Sequence, residues 1–209
     1  MTDIALFVGG DLDFYTGQFD LYVGVDRGSL FLLKNGLSLD YAIGDFDSVS
    51  SDEFSNIKEK ANFLLVAPKE KNDTDTELAI KTIFKTYPDA KMTIFGAFGG
   101  RIDHMLSNLF LPGDLDIFPY LQQIKLSDQQ NEVSYFPPGT HKIEHCEGMK
   151  YVSFMTEQES TLVIKDAKYN LDDSNYFQKK IYSSNEFIGK PIEVNVGSGY
   201  LIVIQSKDR

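Results

Sequence analysis

The chain has 209 residues, a length that suits one large domain or two small ones. Its 42% hydrophobic content is enough for a buried core, and its net charge of −11 argues against nucleic acid and anionic membranes as partners. Cys146 is the only cysteine, which excludes an intrachain disulfide. Because the N-terminus also lacks the features of a signal peptide and no apolar run reaches membrane-spanning length, we expect a cytoplasmic protein.

The first half of the chain alternates short apolar runs with segments of helical spacing. The apolar runs predict strands at residues 4–8, 21–25, 41–43, 63–66 and 92–95. The helical spacing predicts helices at residues 29–34, 52–60, 76–87 and 103–111. This alternation indicates an α/β domain with a mostly parallel, Rossmann-like sheet and helices on its faces.

The pattern changes after about residue 123, where helical periodicity ends. Short strands separated by turn signals are predicted at residues 132–136, 149–155, 161–164, 178–182, 192–196 and 200–205. Such spacing is typical of an all-β antiparallel sandwich. The sequence therefore predicts two domains, at residues 1–122 and 123–209.

Five carboxylates are placed at the ends of predicted strands or just before a predicted helix. Asp26 follows the second strand, Asp45 and Asp47 follow the third, and Asp73 and Asp75 precede the helix at 76–87. Carboxylates packed closely repel one another unless a cation lies between them. Because the carboxyl ends of parallel strands meet at one edge of a sheet, the pattern predicts a site for Mg²⁺, which also binds phosphates.

Each acidic motif also has a simpler explanation when taken alone. The run GDFDS at 44–48 could be only a turn followed by a helix cap. In DTD at 73–75, Thr74 and Glu77 match a capping box, and the acidic residues would favour the dipole of the helix that follows. Capping does not require three acidic loops at one sheet edge, so their convergence favours the metal site.

A glycine-rich run, GAFGGRIDH at 96–104, lies between a predicted strand and a predicted helix. Glycines let the backbone approach a phosphate, the helix N-terminus favours an anion, and Arg101 would add a charged fork. The motifs of P-loop kinases and dinucleotide dehydrogenases do not occur in the required setting, which disfavours both classes. The cations available near the acidic motifs are Arg27, Lys69, Lys71 and Arg101.

A polar segment in the second half, YSSNEF at 182–187, is bracketed by aromatic residues. Such a loop could hydrogen-bond a heteroaromatic ring while Tyr182 or Phe187 stacks on it. An ordinary hairpin turn explains the same residues equally well. The sequence has no tryptophan, so stacking must use phenylalanine, tyrosine or histidine.

In their order and spacing, these motifs resemble the thiamine pyrophosphokinase (thiamine diphosphokinase) family over nearly the whole chain. The motifs that carry the resemblance are DRG at 26–28, DYAIGDFDS at 40–48, KNDTD at 71–75 and GAFGGRIDH at 96–104, with Asn108, Ser184-Asn185 and the strand pattern at 196–203. The resemblance implies an α/β catalytic domain, a β-sandwich that binds thiamine, and a homodimer with shared active sites.

The resemblance also implies residue roles. Mg²⁺ would bind Asp26, Asp45, Asp47 and Asp75, with Asp73 nearby. The implied catalytic residues are Asp45, Asp47, Asp73, Asp75 and Arg101. The implied contacts to ATP and its metal come from Asp26, Arg27, Lys71, Asn72, Thr74, Arg101, Asp103, His104 and Asn108. Thiamine would be contacted by Ser184 and Asn185, with Tyr182 or Phe187 as a stacking residue.

The implied reaction transfers the pyrophosphoryl group of ATP to the thiamine hydroxyl, giving thiamine diphosphate and AMP. The hydroxyl would attack the β-phosphorus directly, so catalysis would depend on positioning and charge stabilisation. Asp73 and Asp75 are both candidates to accept the proton. Two alternatives remain open: a Mg²⁺-dependent phosphatase with an aspartate nucleophile in the Asp45-x-Asp47 motif, and a non-catalytic sensor of thiamine or nucleotide.

Overall fold

The computed structural model describes residues 1–68, 70–158 and 160–209. Within these ranges the chain forms two compact units, Met1–Gln129 and Gln130–Arg209. Lys69, one of the cations named above, lies outside the described residues. Across the described ranges, no helix is both long enough and apolar enough to cross a membrane.

The first unit alternates strands and helices along the chain. Its strands are β1 (Asp3–Phe7), β2 (Leu21–Val25), β3 (Tyr41–Gly44), β4 (Phe63–Val66), β5 (Lys91–Phe95) and β6 (Ile124–Ser127). Its helices are α1 (Arg27–Lys34), α2 (Ser51–Lys60), α3 (Asp75–Thr86) and α4 (Ile102–Leu109). Short 3-10 turns follow α4 at Leu111–Gly113 and Phe118–Gln123.

The strands of the first unit pair in parallel in the order β6-β5-β1-β2-β3-β4. From β1 the chain adds strands on one side as far as β4, and it then returns to the other side for β5 and β6. The order therefore reverses between β1 and β5. In open parallel sheets such a reversal places a crevice at the carboxyl edge of the sheet.

Large aromatic side chains fix the helices to this sheet. Phe7 of β1 stacks on Phe31 of α1 and on Phe95 of β5, with ring centroids 5.3 and 5.1 Å apart. Phe84 of α3 stacks on Tyr120 at 4.4 Å. Complete burial of a ring of this size stabilises a fold by about 1.5–3 kcal/mol, so these contacts hold the sheet edge and its loops on a rigid base.

Two helices of the first unit begin with capping boxes. The Ser50 hydroxyl accepts a hydrogen bond from the Glu53 backbone N–H, and the Glu53 carboxylate accepts one from the Ser50 N–H. Thr74 and Glu77 form the same reciprocal pair at the start of α3, which confirms the predicted box. The second box fixes the backbone at Asp75, the first residue of α3.

The second unit consists of antiparallel strands in two sheets. The strands are β7 (Asn131–Phe136), β8 (Gly139–Ile143), β9 (Tyr151–Thr156), β10 (Leu162–Lys165), β11 (Ile181–Asn185), β12 (Ile192–Val196) and β13 (Leu201–Ser206). One sheet has the order β11-β9-β13-β7 and the other β10-β12-β8. Their inward residues, among them Phe154, Val203 and Val194, form one buried core between the sheets.

The predicted fold class, a mostly parallel α/β domain followed by an antiparallel sandwich, is confirmed, while three local predictions differ from the structure. β6 and β8 were not predicted, because both are short and β8, with the sequence GTHKI, has only one fully buried side chain. The strand predicted at 178–182 lies instead at Ile181–Asn185. The segment 182–187, predicted as a loop, is therefore strand as far as Asn185, with an irregular register between Tyr182 and Asn185.

We predict that Ser50→Ala destabilises the first unit by about 1 kcal/mol, because the backbone N–H of Glu53 loses its acceptor. Denaturant unfolding followed by circular dichroism measures the change. The matched control is Ser51→Ala, at the exposed first residue of the same helix, which should stay within about 0.5 kcal/mol of the wild type. Equal effects of the two substitutions would contradict the assignment of the cap.

Candidate active site

A cleft of about 610 Å³ lies in the first unit at the carboxyl ends of the parallel strands. It lies where the sheet order reverses, and its walls include residues that directly follow β1, β2, β3 and β5. The first turns of α3 and α4 complete it. Open parallel sheets bind their ligands at such reversals, so the topology alone places a ligand site here.

Three of the predicted carboxylates come together in this cleft. Asp26 follows β2, Asp45 follows β3, and Asp75 begins α3. Each offers a carboxylate oxygen within 4.8 Å of the oxygens of the other two. All three residues are half-buried, so water screens their mutual repulsion only in part. Asp47 lines the same cleft but lies outside this cluster and is exposed.

The backbone conformation of Asp26 distinguishes it from the other members of the cluster, and its pKa is raised. Its backbone has φ 46° and ψ −113°, a conformation that non-glycine residues rarely adopt. Its Oδ1 accepts a hydrogen bond from the Phe46 N–H at 2.9 Å. Burial raises the pKa of Asp26 to about 6; the charges of Asp75, Asp45 and Asp47 add to the shift, and the Phe46 hydrogen bond opposes it.

Gly44 and Phe46 shape the surroundings of the Asp26 carboxylate. A Cβ on Gly44 would clash with the Asp26 carboxylate, with Cγ only 2.7 Å away, so the close approach of β3 to Asp26 requires glycine. Phe46 has φ 55°, which turns its N–H towards Asp26, while its buried ring packs against Phe54 at 5.1 Å. The strained backbone is therefore held by an aromatic anchor in the core.

The oxygen atoms of the cluster fit a hard divalent cation. Asp75 Oδ1 is buried and forms an ion pair with Lys71 Nζ at 3.0 Å, outside hydrogen-bond geometry. One ammonium group does not balance three clustered carboxylates, and a divalent cation would neutralise the remaining charge. Three carboxylates from three separate segments, with no nitrogen or sulfur donor among them, are the ligand chemistry that Mg²⁺ prefers.

The remaining residues of the KNDTD motif surround Asp75. Lys71 forms the ion pair with Asp75 and donates to the Pro68 carbonyl at 3.3 Å. Asn72 is exposed in the loop before α3. Asp73 does not join the metal cluster; its carboxylate lies 2.9 Å from Lys81 Nζ. Thr74 lines the cleft as the cap of α3.

The glycine-rich run forms the wall opposite the carboxylates. Gly99 and Gly100 have φ values of 84° and 64°, which favour glycine, and both line the cleft. Arg101 also lines it, but its guanidinium forms a two-pronged ion pair with Asp103, at 2.6 Å from Nη2 and 3.1 Å from Nε. This hydrogen-bonded contact lowers the pKa of Asp103 to about 2.

The other predicted nucleotide contacts also lie in or beside this cleft. Arg27 lines the cleft as the first residue of α1. His104 lines it from α4, where it is exposed. Asn108 is buried on the same helix and donates from Nδ2 to the Ala97 carbonyl at 3.0 Å. That bond ties α4 to the start of the glycine-rich run, so at least part of the role of Asn108 is structural.

Sequence reasoning missed the contribution of the loop after β1. Gly9 and Gly10 line the cleft, and Gly10 donates a backbone hydrogen bond to the Gly96 carbonyl at 2.9 Å. A Cβ on Gly10 would clash with the carbonyls of Gly96 and Phe98. The sequence feature that could have revealed this loop was the pair of glycines directly after the first predicted strand, at the edge of the sheet where ligands bind.

The second unit has a cleft of its own, of about 510 Å³, beside β11. Tyr182 lines it, and its hydroxyl donates to the Phe177 carbonyl at 2.7 Å. Asn185 also lines it and exchanges two hydrogen bonds with the Tyr169 backbone, at 3.0 and 2.7 Å. Both side chains therefore help to fold the segment between β10 and β11 over this cleft.

The other two predicted thiamine contacts lie nearby on the chain. Ser184 is exposed, has φ 61°, and donates its backbone N–H to the Ser153 hydroxyl at 3.2 Å. Phe187 packs against the sandwich core and against the His145 ring, with centroids 4.8 Å apart. Of the two aromatic candidates for stacking, Tyr182 lines the cleft, and Phe187 is engaged by His145.

The fold and the first cleft define a class of protein. A cluster of carboxylates and a glycine-rich loop line one cleft at the reversal of a parallel sheet, and a β-sandwich unit follows. This combination is typical of enzymes that transfer phosphate groups from a nucleotide. Residues 12–117 match the family model described as thiamin pyrophosphokinase, catalytic domain, and residues 140–201 match that described as thiamin pyrophosphokinase, vitamin B1 binding domain.

Similarity to individual proteins extends over the whole chain. The chain is 34% identical to a thiamine pyrophosphokinase from Bacillus subtilis (strain 168), with all of both chains covered. A crystal structure of a thiamin pyrophosphokinase family protein from Enterococcus faecalis matches with a TM-score of 0.93 at 38% identity, covering 100% of both chains. One of thiamine pyrophosphokinase from Bacillus subtilis matches with a TM-score of 0.80 at 31% identity, covering 99% of this chain and 100% of that one. The chain belongs to the thiamine pyrophosphokinase family, which confirms the predicted resemblance and the prediction of an enzyme.

Gly44→Ala should disturb the acidic cluster without unfolding the unit. The added methyl group would displace the Asp26 carboxylate, and a shift of about 1 Å in a catalytic group lowers turnover on the order of 10²-fold. Steady-state turnover is the measurement. Gly36→Ala is the control, because Gly36 also has a positive φ, of 68°, but has open space around its Cβ position. Turnover of Gly44→Ala close to that of Gly36→Ala would contradict the steric argument.

The raised pKa of Asp26 predicts a pH-dependent stability in the absence of divalent cations. Between its ordinary value of 3.8 and its folded value of about 6, the unfolded chain has lost the proton while the folded chain keeps it. Stability contributed by this group therefore falls as the pH rises through that window and is constant above it. Denaturant unfolding in EDTA at pH 4 to 8 should show Asp26→Asn gaining stability relative to the wild type only as the pH rises. A gain of equal size at pH 4 would show that the charge is not its cause.

Proposed function

We propose that this protein transfers the pyrophosphoryl group of ATP to the hydroxyl group of thiamine, giving thiamine diphosphate and AMP. The observation that carries the proposal is the arrangement of the first cleft, with Asp26, Asp45 and Asp75 facing a glycine-rich loop. In one step, the thiamine oxygen forms a bond to the β-phosphorus while the bond from the β-phosphorus to the bridging α-phosphate oxygen breaks. The hydroxyl proton leaves to a nearby base, and AMP departs with the electron pair.

The three clustered carboxylates would hold Mg²⁺, with Asp47 at the rim of the cleft. When bound, Mg²⁺ supplies charge neutralisation and orientation for the phosphate oxygens. The carboxylates come from three segments that the sheet and α3 hold in place, so they fix the position of the phosphates within the cleft. An exposed Asp47 can bind through water or contact a substrate that enters the cleft from outside.

The glycine-rich wall would bind the nucleotide. Gly9, Gly10, Gly99 and Gly100 leave their backbone accessible from the cleft, and phosphate oxygens can approach it closely. Arg101 would exchange its partner Asp103 for a phosphate, and its planar fork would then stabilise charge on the phosphate during the transfer. Arg27, at the opposite side, would add a second positive charge.

Both candidates for the proton acceptor are held by ion pairs. Asp73 Oδ1 lies 2.9 Å from Lys81 Nζ, and Asp75 Oδ1 lies 3.0 Å from Lys71 Nζ. Asp75 also belongs to the proposed cation ligands, whereas Asp73 does not. Asp73 and Asp75 therefore stay alternatives for the group that accepts the hydroxyl proton.

The second unit would bind thiamine, as its match to the vitamin B1 binding domain suggests. Ser184 and Asn185 would contact the pyrimidine ring, and Tyr182 is favoured over Phe187 for stacking because it lines the cleft of that unit. A catalytic and a thiamine-binding domain, a homodimer with shared active sites, and a cytoplasmic location are parts of the same proposal; the boundary predicted at about residue 123 lies just before β6, the last strand of the first unit. The single cysteine is compatible with a reducing compartment.

The proposal is tested by ³¹P NMR of the purified protein with ATP, Mg²⁺ and thiamine. Equal amounts of AMP and thiamine diphosphate are the expected products. ADP would indicate transfer of a single phosphoryl group, and free phosphate would indicate a phosphatase. Thiamine binding without any turnover would favour a sensor.

Asp45→Asn should lower turnover on the order of 10³-fold or more, because the substitution removes one charge from the proposed cation site. The measurement is AMP release at saturating ATP and thiamine over a range of Mg²⁺ concentrations. Asp89→Asn, at an exposed residue between α3 and β5, is the control and should keep wild-type turnover. Near-normal turnover of Asp45→Asn would remove Asp45 from the metal site.

A further inference from the structure

Lys81 lies at the centre of an ion-pair network beside the acidic cluster. Its Nζ is 2.9 Å from Asp73 Oδ1 and 2.7 Å from Asp114 Oδ2. A third carboxylate, that of Asp116, lies at 3.8 Å. The side chain of Lys81 is only 21% exposed, and those of Asp73 and Asp114 are 33% and 24% exposed, so the first two contacts are poorly screened by water.

The two close partners of Lys81 belong to different segments. Asp73 lies in the loop before α3, two residues from Asp75. Asp114 lies just after the 3-10 turn Leu111–Gly113, which follows α4. Lys81, on α3, therefore links the loop that precedes Asp75 to the segment after α4, the helix whose first turns line the same cleft.

Asp114 is a firm point of attachment. Its Oδ1 accepts the Asp116 N–H at 2.8 Å, and its backbone carbonyl accepts the N–H groups of Phe118 and Ile117 at 2.8 and 3.1 Å. The other carboxylate oxygen faces Lys81. A residue tied by its own backbone in this way moves little, so it can hold Lys81, and through Lys81 the Asp73 loop, in one place.

The acidic cluster needs such a restraint. The carboxylates of Asp26, Asp45 and Asp75 repel one another, and Asp75 lies at the junction of a loop and a helix. Asp26 and Asp45 are fixed by the sheet and by the hydrogen bond to Asp26. The capping box at Thr74 and the ion pair with Lys71 restrain Asp75 locally, and Lys81 adds the contact that ties the preceding loop to Asp114.

We infer that Lys81 is a positioning residue for the cation site: by joining Asp73 to Asp114, it holds Asp75 within reach of Asp26 and Asp45. The inference rests on the proposed function, since it takes the three carboxylates to be the cation ligands. Lys81 itself does not touch the cation or the substrates. Loss of a group that orients a metal ligand typically weakens metal binding by about 10–100-fold.

The test is Mn²⁺ binding to the full-length protein without nucleotide, followed by electron paramagnetic resonance. Lys81→Met should weaken Mn²⁺ binding by about tenfold or more, and Lys81→Arg should restore most of it, because arginine keeps both ion pairs. Asp114→Asn should weaken binding as well, since it removes the attachment. Lys85→Met, at an exposed lysine of the same helix, and Asp116→Asn, at a carboxylate that is 81% exposed, should bind Mn²⁺ within about twofold of the wild type.

Turnover as a function of Mg²⁺ concentration separates positioning from general destabilisation. For Lys81→Met, the Mg²⁺ concentration at half-maximal turnover should rise about tenfold, while turnover at saturating Mg²⁺ stays within about threefold of the wild type. Unchanged Mn²⁺ binding by Lys81→Met would overturn the inference and leave the metal site standing. Failure of the wild type to bind Mn²⁺ would overturn the metal site and the inference together. Loss of binding in Lys81→Arg equal to that in Lys81→Met would also overturn the inference, because the ion pairs would then not be the cause.

Discussion

Mutual repulsion among Asp26, Asp45 and Asp75 is the constraint on which the architecture of the first unit depends. Three carboxylates with oxygens within 4.8 Å of one another are unfavourable in a half-buried cleft; burial raises the pKa of Asp26, and the charges of its neighbours add to the rise. The surrounding structure holds the three carboxylates together against this repulsion. Segments far apart in the sequence share this task, which explains why so many unusual backbone and ion-pair features gather at one sheet edge.

The backbone around the cluster is strained in a way that the core supports. Asp26 and Phe46 both have positive φ values, and such residues typically cost about 1–3 kcal/mol each. Burial of the Phe46 ring against Phe54 and the absence of a side chain at Gly44 make the arrangement possible. On the other side of the cleft, the ion pair with Asp103 holds the Arg101 side chain near the glycine-rich loop. The two walls thus present carboxylates on one side and glycine backbone with an arginine on the other, a surface suited to charged rather than neutral ligands.

The two units offer different kinds of ligand-binding surface. A parallel sheet brings the ends of several strands and helices to one edge, which suits the convergence of charges on a phosphate and a cation. A sandwich instead provides an apolar core with aromatic side chains at its margin, and the cleft beside β11 has Tyr182, Phe177 and Tyr169 with a few amide groups. Such a surface suits a flat heteroaromatic ring.

The sequence by itself determined the fold class, most strands and helices of the first unit, and the identity of the acidic and glycine-rich motifs. Hydrophobic periodicity, helix capping and the position of a residue at the end of a strand are local properties, so the sequence shows them directly. It did not determine β6, β8 or the exact position of β11: β6 has only four residues, β8 has one fully buried side chain, and β11 has an irregular register with β9. Only the tertiary structure decided which carboxylates meet. It joined Asp75 to Asp26 and Asp45, turned Asp73 away to Lys81, and brought Gly9 and Gly10 against the Gly96 loop, since these outcomes depend on distances between segments that no local pattern encodes.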